Sequence, residues 1–283
     1  MHKQVEIFEV GPRDGLQNEK RDIPVAEKIA LIDLLGRAGF SRIEVASFVS
    51  PKWVPQMAGS AEVLAGIKRV KGVSYTALTP NMRGFEDAVD AKADEIAIFG
   101  SASEGFSKAN INASIAESME RFKPVVAAAR HIDMPVRAYV SCVTDCPYDG
   151  KVAPAQVAEV ASALFSMGCY EVSLGDTIGA GTPDSIAKML LAVREVVPMH
   201  RLAGHYHNTG GRALANIDAS LSLGLRTFDA AVGGLGGCPY APGAAGNVAT
   251  EAVVKHLHAL GYETGLDLDV LNQAADMARA MRG

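Results

Sequence analysis

Short apolar runs with the spacing of β-strands recur along the chain, and each is followed by a stretch with apolar residues at helical spacing. The pattern repeats at roughly 30-residue intervals, which is typical of successive strand–helix units. It predicts eight strands, over Gln4–Val10, Phe40–Val45, Val73–Leu78, Glu95–Phe99, Val136–Ser141, Tyr170–Leu174, Arg201–His205 and Thr227–Val232. It predicts helices over Val25–Arg37, Ala61–Lys68, Arg83–Ala91, Ile111–Arg130, Pro154–Met167, Asp184–Val196, Ala213–Leu223, Val248–Leu260 and finally Val270–Met281, with Asp269 as the expected N-cap of the last.

Eight strand–helix units in succession favour a parallel sheet whose outer face is covered by helices. Eight is the number that closes a (β/α)8 barrel of about 250 residues. A doubly wound sheet is the alternative, but the first strand is followed by the segment 11–15, G-P-R-D-G, rather than by the G-x-G-x-x-G turn of a nucleotide-binding fold. No linker-like stretch rich in proline or serine interrupts the pattern. We therefore expect residues 1–283 to form a single α/β TIM-barrel domain with an extra C-terminal helix.

Composition narrows the range of partners. The chain has 283 residues and a net charge of −5, and it lacks the long basic run that nucleic-acid binding would require. No apolar run approaches the roughly 18 residues of a membrane span, and the first residues lead directly into strand pattern without a secretory or transit segment. The cysteines have neither disulfide-framework nor zinc-ribbon spacing. We expect a cytoplasmic protein with reduced thiols at Cys142, Cys146, Cys169 and Cys238.

The chemistry of a TIM barrel lies at the carboxyl ends of its strands. Polar residues with suitable chemistry follow or end the predicted strands at Arg13, Asp14, Glu44, Ser47, Thr79, Ser101, Glu104, Ser141, Asp176, His205, His207, Asn208, Cys238 and Asn247. Because the strands were placed from apolar pattern alone, the gathering of these residues at one end of the barrel is independent support for the fold.

The segment His205-Tyr206-His207 places two imidazoles on the same side of a strand. Taken alone, the pair could equally bind a metal or form hydrogen bonds within the barrel. A closed barrel brings the ends of strands 1, 7 and 8 side by side, which adds Asp14 and Asn247. Two nitrogen and two oxygen donors suit Mg²⁺ or Mn²⁺ and would tolerate Co²⁺ or Zn²⁺. The sequence therefore predicts a divalent-cation site with open positions for substrate oxygens.

Arg13 stands next to the predicted ligand Asp14. A cation and a fixed guanidinium together can hold two oxygens and stabilise an oxyanion between them. The alternative is an arginine paired with Asp14 or Glu44 in a network that stabilises the barrel. Both interpretations allow Glu44 to orient Arg13.

Cys238 lies within Val232–Glu251, a glycine-rich segment that is long for a connection between elements. Glycine lets a backbone approach a ligand closely. A free thiol has an ordinary pKa near 8.5 and is mostly protonated at neutral pH. Since no base adjoins Cys238 in sequence, proton donation to an enolate is a better interpretation than nucleophilic attack. The alternative is a surface loop with an incidental cysteine.

With these residues in place, the chain closely resembles the hydroxymethylglutaryl-CoA lyases of the DRE-TIM metallolyase superfamily. The resemblance covers nearly the whole chain and rests on long motifs. They are V-G-P-R-D-G-L-Q-N-E-K at Val10–Lys20, S-F-V-S-P-K-W-V-P-Q-M at Ser47–Met57, Y-V-S-C-V-T-D-C-P-Y at Tyr139–Tyr148, M-G-C-Y-E-V-S-L-G-D-T-I-G at Met167–Gly179 and G-L-G-G-C-P-Y at Gly234–Tyr240.

The resemblance implies a (β/α)8 barrel that cleaves 3-hydroxy-3-methylglutaryl-CoA to acetoacetate and acetyl-CoA by a retro-Claisen reaction, the chemistry of leucine degradation and ketone-body formation. It also implies a homodimer. The cation would be Mg²⁺ or Mn²⁺, held by Asp14, His205, His207 and Asn247. The catalytic positions would be Arg13 at the enolate oxygen, Cys238 as the proton donor, and Glu44 and Asp176 in support. Lys20 and Arg137 match further positions that the resemblance assigns to substrate binding.

The chain also departs from the family pattern. After strand 7 the best-known members read H-x-H-D-T-Y-G, whereas this chain has Asn208 and Gly210 in place of the aspartate and the tyrosine. Alanine stands for serine at Ala230 and Ala231, and for aspartate at Ala252. The predicted ligands, Arg13 and Cys238 are retained, so the reaction type is expected to be retained. A related 3-hydroxyacyl-CoA, such as citramalyl-CoA, is the alternative substrate.

Two other classes of function fit the sequence less well. A two-His-one-carboxylate Fe(II) oxygenase would share the ligand types, but it would not explain Cys238 on a glycine-rich loop. A non-catalytic binder of CoA esters would not explain the retention of both Arg13 and Cys238. Recognition of the CoA phosphates is hard to locate from sequence, and loop lysines at Lys52, Lys108 and Lys151 are the only contacts we suggest.

Overall fold

Eight parallel strands close into a barrel in the computed structural model, which describes residues 3–236 and 246–282. The strands are β1 Glu6–Glu9, β2 Arg42–Ser47, β3 Ser74–Leu78, β4 Glu95–Ser101, β5 Val136–Ser141, β6 Glu171–Asp176, β7 Leu202–Tyr206 and β8 Thr227–Ala230. Each strand pairs with the next along the chain, and β8 pairs with β1 to close the barrel. The prediction of a (β/α)8 barrel is confirmed, and no strand end differs by more than two residues from the predicted one.

Helices cover the outside of the barrel. They are α1 Val25–Leu35, α2 Ser60–Gly66, α3 Met82–Asp90, α4 Glu104–Ile111, α5 Ile115–His131, α6 Pro154–Met167, α7 Pro183–Val193, α8 Ala213–Ser222, α9 Thr250–Ala259 and α10 Leu268–Met281. The extra C-terminal helix α10 packs against α1 and α9. A short antiparallel hairpin, Asp145–Cys146 with Gly150–Lys151, follows β5 and was not predicted. None of the described helices is long and apolar enough to cross a membrane.

The single helix predicted over Ile111–Arg130 is wrong, because two helices occupy this region. The first, α4, ends where Asn112 adopts the left-handed conformation with φ 49°, a conformation that asparagine tolerates better than most residues. Ser114 then starts α5 with a capping box, in which its side chain accepts a hydrogen bond from the backbone of Glu117 and the Glu117 side chain accepts one in return. Apolar spacing alone predicts one continuous helix here, but the caps at Asn112 and Ser114 divide it into two.

The N-cap of α10 also differs from the prediction. The side chain of Asp267 accepts hydrogen bonds from the backbone N–H groups of Asp269 and Val270, so the helix begins at Leu268. Asp269, the predicted cap, lies in the first turn, where a carboxylate is favoured by the helix dipole.

Charged groups close the amino end of the barrel. Arg42 forms ion pairs with Glu6 at 2.8 Å and with Glu171 at 3.0 Å. The Tyr170 hydroxyl donates to Glu95 over 2.7 Å. Buried charges are tolerated only when they are paired and hydrogen-bonded, and this layer meets that condition. The opposite, carboxyl end is therefore free to carry the site.

Candidate metal centre and active site

The turn 11–15 after β1 projects two of the predicted site residues into the barrel mouth. Glu9 holds this turn in place, because its carboxylate accepts hydrogen bonds from the backbone N–H of Gly11 at 2.8 Å and of Val232 at 2.9 Å and from the Thr250 hydroxyl at 2.6 Å. Burial raises the pKa of Glu9 to about 7, although these hydrogen bonds act to lower it. Sequence analysis missed Glu9, which reads as an ordinary alternating position of a strand.

Gly15 is required by a close approach on the other side of the same turn. A Cβ added there would lie 2.6 Å from the Cβ of Leu235, which is closer than two carbon atoms can pack. The turn after β1 and the segment after β8 are therefore pressed together, so that Arg13 and Asp14 face the residues that follow β7 and β8.

Arg13 is clamped between two carboxylates. Its Nε and Nη2 both lie 2.6 Å from Oε2 of Glu44, and its Nη1 lies 2.8 Å from Oδ1 of Asp14. Burial alone would lower the pKa of Arg13, but the charges of Glu44 and Asp14 outweigh it and raise the pKa above the ordinary value. Burial raises the pKa of Glu44 despite the pairing. The guanidinium is thus fixed in direction, with one hydrogen on each Nη left over for another partner.

The β2 strand is irregular at Glu44. Its register with β3 shifts between Glu44 and Ala46, which is the signature of a β-bulge. Bulges often lie beside active sites because they redirect a side chain. Glu44 Oε1 is buried with no hydrogen-bond partner among the described residues, so this carboxylate has capacity beyond Arg13.

Three of the predicted ligands converge on one point. Asp14, His205 and His207 each offer a ligand atom, and these atoms all lie within 4.8 Å of one another. The Nε2 of His205 is 4.0 Å from Oδ2 of Asp14, and the two imidazole rings are 5.4 Å apart at their centroids. Asn247 joins the group by donating from Nδ2 to Oδ2 of Asp14 over 2.7 Å. A bound cation would require the Asn247 amide to turn its oxygen inward.

The group suits a divalent cation on its own chemistry. His207 Nδ1 is buried without a hydrogen-bond partner among the described residues, so a lone pair or an N–H is left unused at this point. Burial lowers the pKa of His207 to about 4, with the neighbouring His205 adding to the effect, so the ring is neutral at physiological pH as a ligand must be. Two nitrogens with a carboxylate oxygen are a common set for a divalent cation with open positions.

Asp176 lies apart from this group. Its carboxylate accepts hydrogen bonds from the Thr144 hydroxyl at 3.2 Å and from the backbone N–H of Gly181 at 2.9 Å, and it is fully buried. Burial raises its pKa. Its neighbours Gly175 and Thr177 line the cavity, but Asp176 itself does not. Asp176 therefore connects the end of β6 to Thr144 and to the loop that follows β6 at Gly181.

Lys20 and Arg137, the other predicted substrate contacts, also lie outside the cavity wall. Lys20 is exposed. Arg137 is fully buried below the site, where it pairs with Glu171 at 2.7 Å and with Asp229 at 2.7 Å. Cys238 lies outside the described residues. The three suggested phosphate contacts are exposed, and none of them is among the described residues that line the cavity. They are Lys52, Lys108 and Lys151.

Tyr139 is a site residue that sequence analysis missed. Its ring meets His205 edge-on with 6.2 Å between centroids, and it lies between the guanidinium groups of Arg13, at 5.7 Å, and Arg137, at 5.0 Å. Its hydroxyl is buried with no hydrogen-bond partner among the described residues, and burial raises its pKa well above the ordinary value. The signal was available, since Tyr139 stands inside a matching motif, but strands commonly carry tyrosine for packing alone.

The cavity above these residues has a volume of about 640 Å³. One wall is apolar, with Leu78, Phe99, Phe106 and Val140. The polar part of the lining includes Asn81, Asn110, Asn112 and Arg121. Trp53 stands at the rim and is 86% exposed. The volume and the mixture of walls suit a long ligand with a polar head and an apolar middle.

A closed (β/α)8 barrel with this His–His–Asp group at its carboxyl end defines a class, the TIM-barrel enzymes whose site fits a divalent cation. The HMGL-like family model matches residues 4–278. A Pseudomonas aeruginosa protein named 3-hydroxy-3-isohexenylglutaryl-CoA/hydroxy-methylglutaryl-CoA lyase is 58% identical, with 99% of this chain and 94% of that protein covered. The mitochondrial hydroxymethylglutaryl-CoA lyase of Bos taurus is also 58% identical, with 96% and 84% covered.

Solved structures agree with this assignment. The HMG-CoA lyase of Brucella melitensis superposes with a TM-score of 0.98 at 64% identity, with 99% of both chains covered. An HMG-CoA lyase of Acinetobacter baumannii in complex with coenzyme A and 3-methylmalate superposes with a TM-score of 0.94 at 38% identity, with 99% of this chain and 91% of that chain covered. The chain belongs to the HMGL-like family, and the resemblance read from its motifs is confirmed.

Proposed function

We propose that this protein is a carbon–carbon lyase that cleaves 3-hydroxy-3-methylglutaryl-CoA to acetoacetate and acetyl-CoA with the help of a divalent cation. The observation that carries the proposal is the convergence of Asp14, His205 and His207 beside the clamped guanidinium of Arg13. The names of relatives at 55% to 58% identity support the substrate. The coenzyme A in the related Acinetobacter structure supports an acyl-CoA as the ligand class.

We assign Mg²⁺ or Mn²⁺ to Asp14, His205, His207 and Asn247. When bound, the cation supplies Lewis-acid polarisation of the substrate hydroxyl and lowers its pKa. The protein contributes the rest of the site, since the imidazole and carboxylate groups are held in position before substrate arrives. Such preorganisation is an important source of catalytic power.

In the proposed reaction the substrate hydroxyl gives up its proton to a base, and the bond between C2 and C3 breaks. The electron pair passes into the thioester enolate, and the enolate carbon then takes up a proton to give acetyl-CoA. Arg13 stabilises the developing enolate oxygen through the N–H groups that Glu44 and Asp14 leave free. Cys238 delivers the proton to carbon. Asp176 acts as a brace rather than as the base, because its oxygens are engaged away from the cavity.

A related thioester such as citramalyl-CoA is the alternative substrate, and the names of the relatives do not favour it. A homodimer, a cytoplasmic location and a role in leucine degradation and ketone-body formation remain expectations that go with the proposed reaction. The apolar wall of the cavity is compatible with the methyl group at C3 of the preferred substrate.

The test is release of acetyl-CoA from 3-hydroxy-3-methylglutaryl-CoA and from citramalyl-CoA by protein treated with EDTA, before and after addition of Mg²⁺ or Mn²⁺. We expect release only with cation present, and a higher kcat/KM with the first thioester. A preference for citramalyl-CoA would change the assigned substrate but leave the assigned reaction type standing. No release from either would overturn the proposed function.

A further inference from the structure

Asp229 lies beside the metal-ligand group and is bound to it through one histidine. It is the third residue of β8 and pairs in register with His205 of β7. Its Oδ2 lies 3.1 Å from Nδ1 of His205, and the residue is 2% exposed. The register of two neighbouring parallel strands therefore puts a buried carboxylate against the inner edge of a predicted metal ligand.

This contact decides which way the imidazole faces. With Nδ1 turned towards Asp229, the other nitrogen of His205 points at Asp14, whose Oδ2 is 4.0 Å away. A carboxylate can only accept a hydrogen bond from the ring, so the neutral ring must carry its hydrogen on Nδ1 and its lone pair on Nε2. Histidines that bind metals commonly donate their second N–H to a carboxylate in this way.

We propose that Asp229 is a positioning residue for the cation site: it fixes the tautomer and the ring direction of His205 so that Nε2 presents a lone pair towards Asp14 and His207. This inference rests on the proposed cation site but not on the identity of the thioester. It concerns the protein before any ligand is bound, so it can be tested apart from turnover.

The rest of the barrel interior holds Asp229 in this role. Arg137 binds both of its oxygens, with Nη2 2.7 Å from Oδ1 and Nη1 3.1 Å from Oδ2, and the Ser173 hydroxyl donates to Oδ2 over 2.7 Å. A bidentate arginine is a strong and directional partner for a carboxylate. It leaves Asp229 ionised in a buried place and prevents the carboxylate from rotating away from His205.

Arg137 is balanced in turn by Glu171, which accepts from its Nε over 2.7 Å. The same Glu171 pairs with Arg42 at the amino end of the barrel. A buried column of alternating charges, Arg42–Glu171–Arg137–Asp229, thus runs from the closed end of the barrel to His205. Removing one partner of a buried ion pair is strongly destabilising, so each member of the column fixes the next.

His207 provides an internal comparison. Its Nδ1 is buried without a hydrogen-bond partner among the described residues. The part of the chain that the structure describes therefore constrains one imidazole of the pair through a carboxylate and leaves the Nδ1 of the other unengaged. Of these two histidines, only His205 is expected to show a tautomer fixed by hydrogen bonding of its Nδ1 to a carboxylate.

The first test uses the unaltered, metal-free protein labelled with ¹⁵N-histidine, at a pH high enough to keep the rings neutral. Long-range ¹H–¹⁵N spectra distinguish a protonated from an unprotonated ring nitrogen, and the His205 signals are those lost in His205→Gln. We expect Nδ1 of His205 to be protonated and Nε2 unprotonated. Protonation on Nε2 would overturn the proposal, and this result needs no variant of Asp229 to fold.

The second test compares Mn²⁺ binding, by electron paramagnetic resonance, in Asp229→Asn and Ser173→Ala. Asp229→Asn removes the charge that orients His205. Ser173→Ala keeps that charge and removes only a hydrogen-bond donor to the same oxygen. We expect Asp229→Asn to bind Mn²⁺ about 10- to 100-fold more weakly and Ser173→Ala to lose less than about fivefold.

A folded Asp229→Asn protein with wild-type Mn²⁺ affinity would contradict the role. A variant that does not fold would leave the tautomer measurement to decide it. A wild-type protein that binds Mn²⁺ as expected but does not cleave 3-hydroxy-3-methylglutaryl-CoA would overturn the proposed function and leave the role of Asp229 standing.

Discussion

The guanidinium of Arg13 and the carboxylate of Glu44, 31 residues apart in sequence, meet at 2.6 Å inside the barrel mouth. The Nε and Nη2 of Arg13 both contact Glu44, and the Nη1 of Arg13 contacts Asp14. The contact orients the guanidinium of Arg13 beside the residues that we assign to metal binding. Arg13 also lines the cavity, and these contacts leave one hydrogen on each of its Nη atoms for another partner.

Replacing Arg13 by lysine tests its role at the enolate oxygen. An ammonium cannot reproduce the planar fork that Glu44 and Asp14 orient, so we expect Arg13→Lys to keep Mn²⁺ affinity and to lose about 100-fold or more in kcat, the usual consequence of removing an oxyanion-stabilising donor. Steady-state kinetics and metal titration provide the two readouts. Arg21→Lys is the matched control, since Arg21 is a half-exposed arginine that also pairs with a glutamate, Glu27. Equal kcat in both variants would remove Arg13 from the reaction.

Cys238 is tested by the fate of the proton. If its thiol protonates the enolate carbon, Cys238→Ser should lower kcat strongly and leave Mn²⁺ affinity unchanged, because a hydroxyl is a much weaker acid than a thiol. The measurement is incorporation of solvent deuterium into the methyl group of the acetyl-CoA product. Cys169→Ser is the control, as Cys169 is buried in the hydrophobic core away from the cavity. Wild-type rates of incorporation in Cys238→Ser would assign the proton to another donor.

Trp53 is the single tryptophan of the chain, so the intrinsic tryptophan fluorescence reports on the cavity rim alone. If the acyl end of the substrate lies at the metal group, the nucleotide end must reach the rim. We expect coenzyme A to change the emission of Trp53 and pantetheine, which lacks the nucleotide, to leave it unchanged. Stacking of a base on an aromatic ring contributes about 1–3 kcal/mol, so Trp53→Ala should raise KM with little change in kcat.

The control for Trp53 is Leu260→Ala, which shortens another exposed apolar side chain that does not line the cavity. Its KM is expected to match that of the wild type. Emission that stays constant while coenzyme A saturates the enzyme in a competition assay would place the nucleotide elsewhere.

Glu95 should make stability depend on pH. Its carboxylate is buried at the amino end of the barrel, and burial raises its pKa to about 7, although the hydrogen bond from Tyr170 acts to lower it. The folded protein therefore holds a proton that the unfolded chain has released between the ordinary pKa of 4.5 and about 7. Stability is lost as pH rises through this range, by up to about 3 kcal/mol, since one pKa unit corresponds to about 1.4 kcal/mol.

Glu95→Gln removes this ionisation and keeps an acceptor for Tyr170. We expect the variant to gain stability relative to the wild type as pH rises from 5 to 8, as measured by urea denaturation. Glu86→Gln, which removes an exposed carboxylate, is the control and should follow the wild type. A stability difference between Glu95→Gln and the wild type that does not grow with pH would contradict the raised pKa.

Much of the fold could be predicted because its signals are local. The strand Val136–Ser141 and the helix Pro154–Met167 have the predicted ends, since an apolar run and a proline in the first turn act on neighbouring residues. Errors arose where a polar cap overrode apolar spacing, as at Ser114 and Asp267. The position of a cap depends on one side chain and one backbone turn, which periodicity does not record.

Some of the site residues could likewise be predicted from local sequence signals, and others could not. Asp14 and the pair His205 and His207 could be singled out because strand ends in a barrel converge and because two residues apart on a strand share a face. Asp229 could not, because an aspartate inside a strand has the same local pattern whether it packs or positions a ligand. Tyr139 was missed although it stands inside a matching motif, because strands commonly carry tyrosine for packing alone.

The sequence by itself determined the eight strand–helix units, their closure into a barrel, the family, and the set of polar groups at the carboxyl end. These follow from periodicity, strand count and long motifs, all of which are properties of neighbouring residues. Only the tertiary structure decided that Arg137 lies under the site rather than in it, and that Asp229 faces His205. The position of Asp229 depends on the register between β7 and β8. That of Arg137 depends on its ion pairs inside the barrel with Glu171 and Asp229, which are far from it in the chain.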